Sequence, residues 1–433
     1  MIVNKLIDFI NNSPTCFNAI KNIEQDLIEK GFVLLDEKEK FSIIKGNSYY
    51  VKRNDSSLIA FTVGNKIDES YAFNIVASHV DSPCFKIKPI AEAKTGIYNK
   101  INIEPYGGMI NSTWLDRPLS IAGRVTYLEN GIAKNKIINV NKPCLMIPNK
   151  CIHFVRNMND GYVYNYDRDL QPFYSQEDAT SLLEIISEES GIEVSNIISF
   201  DLFAYNYEKG YVWGKDDEFI SCSRLDDLEC AFISKESLLS SKNDNRINVA
   251  CFFNNEEVGS LSYQGASSDL LIKTLSRINK ALLFDEEVFN CAIARSFMLS
   301  SDNAHSVHPN DETITDRYNK VYMNKGIVIK SNAREKYISD GLSSAVVILM
   351  CKNSNVPYQL FANKSDIPGG STLGNLSNNQ VSIRGADIGL SQLAMHSSFE
   401  TAGTKDIEYL FELLKYYYSS SINFNKDNDF YLK

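Results

Sequence analysis

Histidine is scarce in this chain: five in 433 residues. The nine cysteines include no C-x-x-C pair and stand singly in apolar settings such as Val249-Ala250-Cys251-Phe252 and Leu349-Met350-Cys351. Structural zinc knuckles and disulfide frameworks need paired spacings, so the cysteines are expected to be reduced, buried thiols. Positive charge is also short, with 44 Lys+Arg against 54 Asp+Glu and a net charge of -10. Following a nucleic-acid backbone needs a positive field, so no nucleic-acid partner is expected. No window reaches the ~18 uncharged apolar residues of a membrane span. The amphipathic start, Met1-Ile2-Val3-Asn4-Lys5-Leu6-Ile7-Asp8, lacks the apolar core and cleavage site of a signal peptide. A cytoplasmic location without membrane attachment is the resulting expectation.

What is present is core-forming material, with 44% hydrophobic and 23% charged residues. At about 150 residues per domain, the length predicts two or three domains. Residues 2–31 read as two helices broken at Ser13-Pro14 and stopped at Gly31. Ser57–Val63 and Ala72–Ser78 are short apolar runs that suit strands of a covered sheet. Between about 84 and 215, strand-like stretches alternate with Gly, Asn and Pro turns, and the one clear helix is Ala179–Ser190. Thereafter helices (Leu225–Leu239, Asp340–Met350, Lys405–Tyr418) alternate with strands (Asn248–Phe253, Ala281–Phe284, Tyr358–Ala362), and the polar tail from Ser419 reads as frayed. This alternation predicts an α/β fold: a mixed, largely parallel sheet sandwiched by helices, from residues 1–83 and 216–433, with a β-rich domain inserted at 84–215.

The histidines fall at the ends of apolar strands, where functional groups collect in open α/β sheets. His79 and Asp81 follow one such run; taken alone, an H-x-D pair favours a hydrogen-bonded structural histidine over a ligand with its brace. Glu256 and Glu257 follow Cys251-Phe252-Phe253-Asn254-Asn255. In an extended segment such neighbours diverge, so one can bind a metal while the other faces a reacting water, unless both are simply solvated. Residues 300–310 hold Asp302, His305 and His308, and His396 ends another apolar stretch. Asp226 and Asp227 open a helix, where capping explains one of them.

In order, H-V-D-S-P (79–83), R-L-D-D (224–227), N-E-E-V-G-S (255–260), S-S-D-N-A-H-S-V-H-P-N (300–310) and A-M-H-S-x-x-E (394–400) closely resemble the aspartyl aminopeptidase family of dinuclear zinc aminopeptidases. Supporting matches run from Ser13-Pro14-Thr15 through Trp114-Leu115-Asp116-Arg117-Pro118-Leu119, Ile147-Pro148-Asn149 and Ile152-His153 to Gly370-Ser371-Thr372, so the resemblance spans nearly the whole chain.

The resemblance implies a zinc-exopeptidase-like fold whose β-rich insertion is a dimerisation domain. It implies two divalent ions per subunit, zinc first and cobalt or manganese as substitutes, bridged by Asp226. His79 and Asp302 complete one ion's ligands, Glu257 and His396 the other's. Glu256 is then the general base, Asp81 orients His79, and His308 helps hold the tetrahedral intermediate, a term worth on the order of 3 kcal/mol. His305 is given no definite role. His153 reaches a neighbouring subunit's site, and Lys330 pairs with an acidic N-terminal side chain. The implied substrates are peptides, trimmed one acidic residue at a time inside homo-oligomers, with dimers assembling into a dodecamer. Ala333-Arg334-Glu335-Lys336-Tyr337 and Phe399 depart from the family pattern near the expected substrate pocket. The same centre also suits a carboxypeptidase or deacylase. A non-catalytic assembly protein on this scaffold predicts missing ligands, and none is missing.

Overall fold

The computed structural model describes residues 2–177, 180–367 and 369–433. A nine-stranded sheet forms its centre, in the order Val33–Leu34, Ser48–Arg53, Ser57–Val63, Ile247–Phe253, Phe73–His79, Phe297–Ser301, Gly385–Gly389, Ile327–Ser331 and Tyr358–Ala362. Five of the eight neighbouring pairs are parallel. The inner strands read as continuous apolar runs because both faces are covered. On one face pack the helices Ile2–Asn11, Cys16–Glu29, Leu225–Leu239, Gly341–Asn353 and Thr404–Ser419, and on the other Leu270–Ala281, Glu286–Arg295 and Leu373–Val381. The expected α/β sandwich is therefore present.

A separate antiparallel sheet of six strands runs from Cys84 to Asn206, with its own core of residues such as Phe85, Trp114, Ile121, Leu182 and Leu202. Its helix, Leu182–Ser190, starts on a capping box of Ser181 and Glu184; Ala179, the expected start, lies outside the described residues. A third sheet joins Tyr211–Trp213, Phe219–Cys222, Glu400–Gly403, Ser391–Leu393 and Ala304–His305. The sequence thus leaves the six-stranded unit by Asn206, before the expected boundary at 215.

Two local expectations fail. Ala281–Phe284 is no strand: Leu270–Ala281 is a helix burying Leu271, Leu275 and Ile278, and Leu283 sits in the turn beyond it at φ +65°, 91% exposed. The apolar pair Leu282-Leu283 suggested a strand, but the helical period of the preceding residues governs. Nor is the tail frayed. Ile422–Phe424 pairs antiparallel with Phe430–Leu432, and Phe424 stacks on Phe297 at 6.5 Å. Four alternating apolar side chains pull this polar-looking segment onto the core.

Candidate metal centre

Neighbouring parallel strands deliver the polar groups to one place. Phe253 is in register with His79 and Ser300 with Ala77, so Asn254–Glu257, His79–Asp81 and Asp302 leave the sheet together at its carboxyl edge. Asp226 arrives at the start of the Leu225–Leu239 helix, through a cis peptide bond to Asp227. His396 comes from the turn between two strands of the third sheet.

Among the described residues three triads of ligand-type atoms result, the atoms of each within 4.8 Å of one another: besides His79, Glu256 and Glu257 there are two built on Asp226, namely His79, Asp226 and Asp302, and Asp226, Glu257 and His396. Asp226 belongs to both, its Oδ1 3.5 Å from His79 Nε2 and its Oδ2 3.4 Å from His396 Nε2. Glu257 Oε2 is 3.3 Å from His396 Nε2, and Glu256 Oε2 is 4.0 Å from His79 Nε2. Both imidazoles donate their other nitrogen to a backbone carbonyl. His79 Nδ1 bonds Asp81 O at 3.0 Å and His396 Nδ1 bonds Gly108 O at 2.6 Å, which turns each Nε2 lone pair toward the carboxylates.

The site's electrostatics favour positive charge. Asp226 Oδ1 and Glu257 Oε1 are buried without hydrogen-bond partners. Burial alone would raise the Asp226 carboxyl, but the facing His396 and His79 imidazoles hold it well below the carboxylate range. Burial pushes Glu257 well above that range, against His396, and lifts Glu256 to about 8, reinforced by Asp302, Asp81 and Asp226. Burial lowers His396, but Asp226 and Glu257 outweigh it and raise the imidazole to about 10. Protons are thus held where a compact cluster of carboxylates calls for positive charge. Mixed nitrogen and oxygen donors with orphaned carboxylate oxygens fit zinc.

Surrounding groups set this geometry. The Asp81 carboxylate also braces the neighbouring strand end: Oδ1 accepts from Glu256 N at 3.1 Å, and Oδ2 from Glu257 N at 3.2 Å and Tyr106 Oη at 2.7 Å. It is the main-chain carbonyl of Asp81 that meets His79 within hydrogen-bond distance, while its carboxylate stays 3.5 Å away. Asn255 donates to Tyr106 Oη at 2.9 Å. Glu400 accepts from Asp226 N at 3.0 Å and His396 N at 2.7 Å, tying those two segments together. Gly107, at φ +76°, lets the chain pass so close that an added Cβ would lie 3.1 Å from the Glu257 Cβ.

Tyr106, Gly108 and Glu400 are neighbours the sequence reading did not assign. Glu400 stood inside the last motif, but nothing local marks Tyr106 or Gly108, which come from the six-stranded unit. Of the remaining candidates, Lys330 is buried, its Nζ donating to Asn303 O at 2.7 Å and lying 3.9 Å from Asp302 Oδ2. His305 and His308 line one cavity beside His396. Of the two, His305 lies within electrostatic reach of Asp226 and His396, whereas the exposed His308 accepts from Asn310 N. His153 is in an exposed loop of the six-stranded unit and belongs to none of the triads.

Comparison with known proteins places this geometry. Residues 9–418 match the family model described as aminopeptidase I zinc metalloprotease (M18). A probable M18 family aminopeptidase 2 of Clostridium acetobutylicum is 44% identical over 96% of this chain and 98% of its own. An aspartyl aminopeptidase of Dictyostelium discoideum is 35% identical over 96% and 95%. A solved dodecamer of mApe1 from S. cerevisiae superposes with a TM-score of 0.85 at 26% identity, covering 96% of both chains. No helix among the described residues is long and apolar enough to cross a membrane. The chain belongs to the M18 family of zinc metalloaminopeptidases.

Proposed function

We propose that this aminopeptidase removes single N-terminal residues, with acidic ones preferred, using two divalent cations and Glu256 as general base. The observation that carries the reading is the pair of triads sharing Asp226, with Glu256 standing beside both. His79, Asp226 and Asp302 would hold one cation, and Asp226, Glu257 and His396 the other. Zinc bound there supplies Lewis acidity for the scissile carbonyl and for an attacking water.

Glu256 takes the water's proton on its carboxylate and returns it to the leaving amine nitrogen. Burial and the surrounding carboxylates raise the Glu256 carboxyl in the metal-free protein, and cations held in the triads would lower it again, leaving a carboxylate able to accept the proton. Asp81 holds the turn that aims it. His305 and His308 border the space beside His396 where a developing oxyanion could find a donor. Lys330, fixed behind Asp302, adds positive charge at the end of the site that would receive an acidic residue.

The acidic preference draws on the Dictyostelium relative's name, and a dodecameric assembly on the yeast neighbour. The six-stranded unit would serve as the dimerising part. Its loop around His153 exposes Phe154 at 87% and Val163 at 84%, apolar surface that suits a subunit contact through which His153 would reach the next site. The test is an aminoacyl series (Asp, Glu, Leu, Lys, Ala) with free and blocked N-termini, on metal-stripped protein reloaded with zinc, cobalt or manganese. Fastest cleavage of free Asp or Glu substrates, abolished by blocking, is the expected result. Cleavage of blocked substrates at equal rates would point to a deacylase or carboxypeptidase, and activity without metal would overturn the mechanism.

A further inference from the structure

A cavity of about 290 Å³ beside the metal centre is lined by His305, His308, Ile314, Asn363, Lys364 and Met395, among others. A second, of about 670 Å³, continues outward between the 312–320 and 364–366 loops. Thr315, Asp316 and Lys364 border both, so the two form one groove leading away from His396.

Lys364 is the one lysine or arginine lining the inner cavity among the described residues. Its neighbour in charge, Asp366, lies 3.6 Å away, and the two side chains are 39% and 70% exposed. A pair so open to water holds its partners weakly. Asp316, the carboxylate lining the inner cavity, turns its Oδ1 to its own loop, where it accepts from Tyr318 N, Asn319 N and Asn319 Nδ2. Lys330, by contrast, is buried, has given its Nζ to Asn303 O, and lines neither cavity.

We propose that Lys364 is a specificity-determining residue that reads a carboxylate of the bound peptide, exchanging Asp366 for the substrate. The inference rests on the aminopeptidase reading of the adjoining centre. The carboxylate belongs either to the N-terminal side chain or to that of the second residue, both of which can enter a groove beginning beside His396.

The experiment compares kcat/KM for Asp-Ala-amide, Ala-Asp-amide and Ala-Ala-amide in zinc-loaded wild type, Lys364→Gln, Lys364→Arg and Asp366→Asn, with zinc content measured in each. In Lys364→Gln, one acidic substrate should lose about fivefold relative to Ala-Ala-amide, through KM, and Lys364→Arg should restore it. Asp366→Asn should move the same ratio the opposite way, by about twofold. Whichever acidic substrate responds identifies the position read. Acidic-to-neutral ratios unchanged in Lys364→Gln, with zinc retained and Ala-Ala-amide still cleaved, would overturn the proposal alone. Failure of zinc-loaded wild type to cleave any of the three would overturn it together with the aminopeptidase reading.

Discussion

Asp81→Asn is the most informative single substitution, because it keeps shape and removes half of an acceptor. The carboxylate takes three hydrogen bonds, one on Oδ1 from Glu256 N and two on Oδ2 from Glu257 N and Tyr106 Oη. An asparagine has one acceptor oxygen, and its amide must turn two N–H groups toward an existing donor. The less costly orientation keeps the Oδ2 side and sets the amide against Glu256 N. A hydrogen bond to a charged group is worth about 1.5–3 kcal/mol, and the opposed donors add to that, so a loss of about 2–4 kcal/mol falls on the position of Glu256. At 1.4 kcal/mol per tenfold this is a drop of roughly 30- to 1,000-fold in kcat. Glu257 keeps its backbone bond, so zinc affinity should fall only about 10- to 100-fold. Turnover at saturating zinc, with zinc bound across chelator-buffered concentrations, separates the two effects. A kcat within threefold of wild type at full zinc occupancy would refute the claim that Asp81 aims the base.

Three further outcomes are expected. In metal-free protein, His396 is raised to about 10 from an ordinary 6.5, and Glu256 and Glu400 to about 8 from 4.5. All three hold protons more tightly when folded, so the stability they contribute is fully present below about 4.5 for the carboxyls and about 6.5 for the imidazole, and is lost as pH rises through about 8 and about 10 respectively. Denaturant melts of stripped protein from pH 6 to 10 should show this decline, and zinc stabilisation should grow over the same range because binding displaces those protons; a flat or rising stripped-protein profile contradicts it. Gly107→Ala should cost about 1–3 kcal/mol in stability and weaken zinc retention, since φ +76° disfavours a Cβ that must also crowd Glu257; unchanged zinc affinity would show that Glu257 can yield. His153→Ala should lower turnover without changing zinc content, and mixing it with an inactive Glu256→Gln protein, followed by reassembly, should restore part of the activity. No recovery on mixing, with exchange of subunits demonstrated, would remove the role across the interface.

The segments of the candidate site were legible because His79, the Glu256-Glu257 pair and Asp302 each follow an apolar run, and parallel strands bring their carboxyl ends to one edge whatever the loops do. The supports were illegible for the opposite reason. Tyr106 and Gly108 reach the centre from the six-stranded unit, and no local pattern encodes a contact that depends on how two units pack. The H-x-D spacing pointed to Asp81 beside His79, but not to the way it acts: the folded turn offers His79 a carbonyl at 3.0 Å and the carboxylate at 3.5 Å, and that carboxylate also takes two backbone amides from residues far along the chain. Lys330 was expected at the substrate, and its burial beneath Asp302 depends on a strand edge formed by residues far apart in sequence. The C-terminal hairpin escaped notice because its polar residues outnumber the four apolar side chains that dock.

The central claim is that Asp226 binds metal in both triads while Glu256 moves the proton. Zinc titration of stripped wild type, Glu256→Gln and Asp226→Ala, read by metal content and turnover on the same samples, tests it directly. Two zinc ions per chain in wild type and in Glu256→Gln, turnover lost in the latter, and metal lost in Asp226→Ala are the expected results. Equal zinc content and equal rates in the two variants, or a single zinc per fully active wild-type chain, would contradict it.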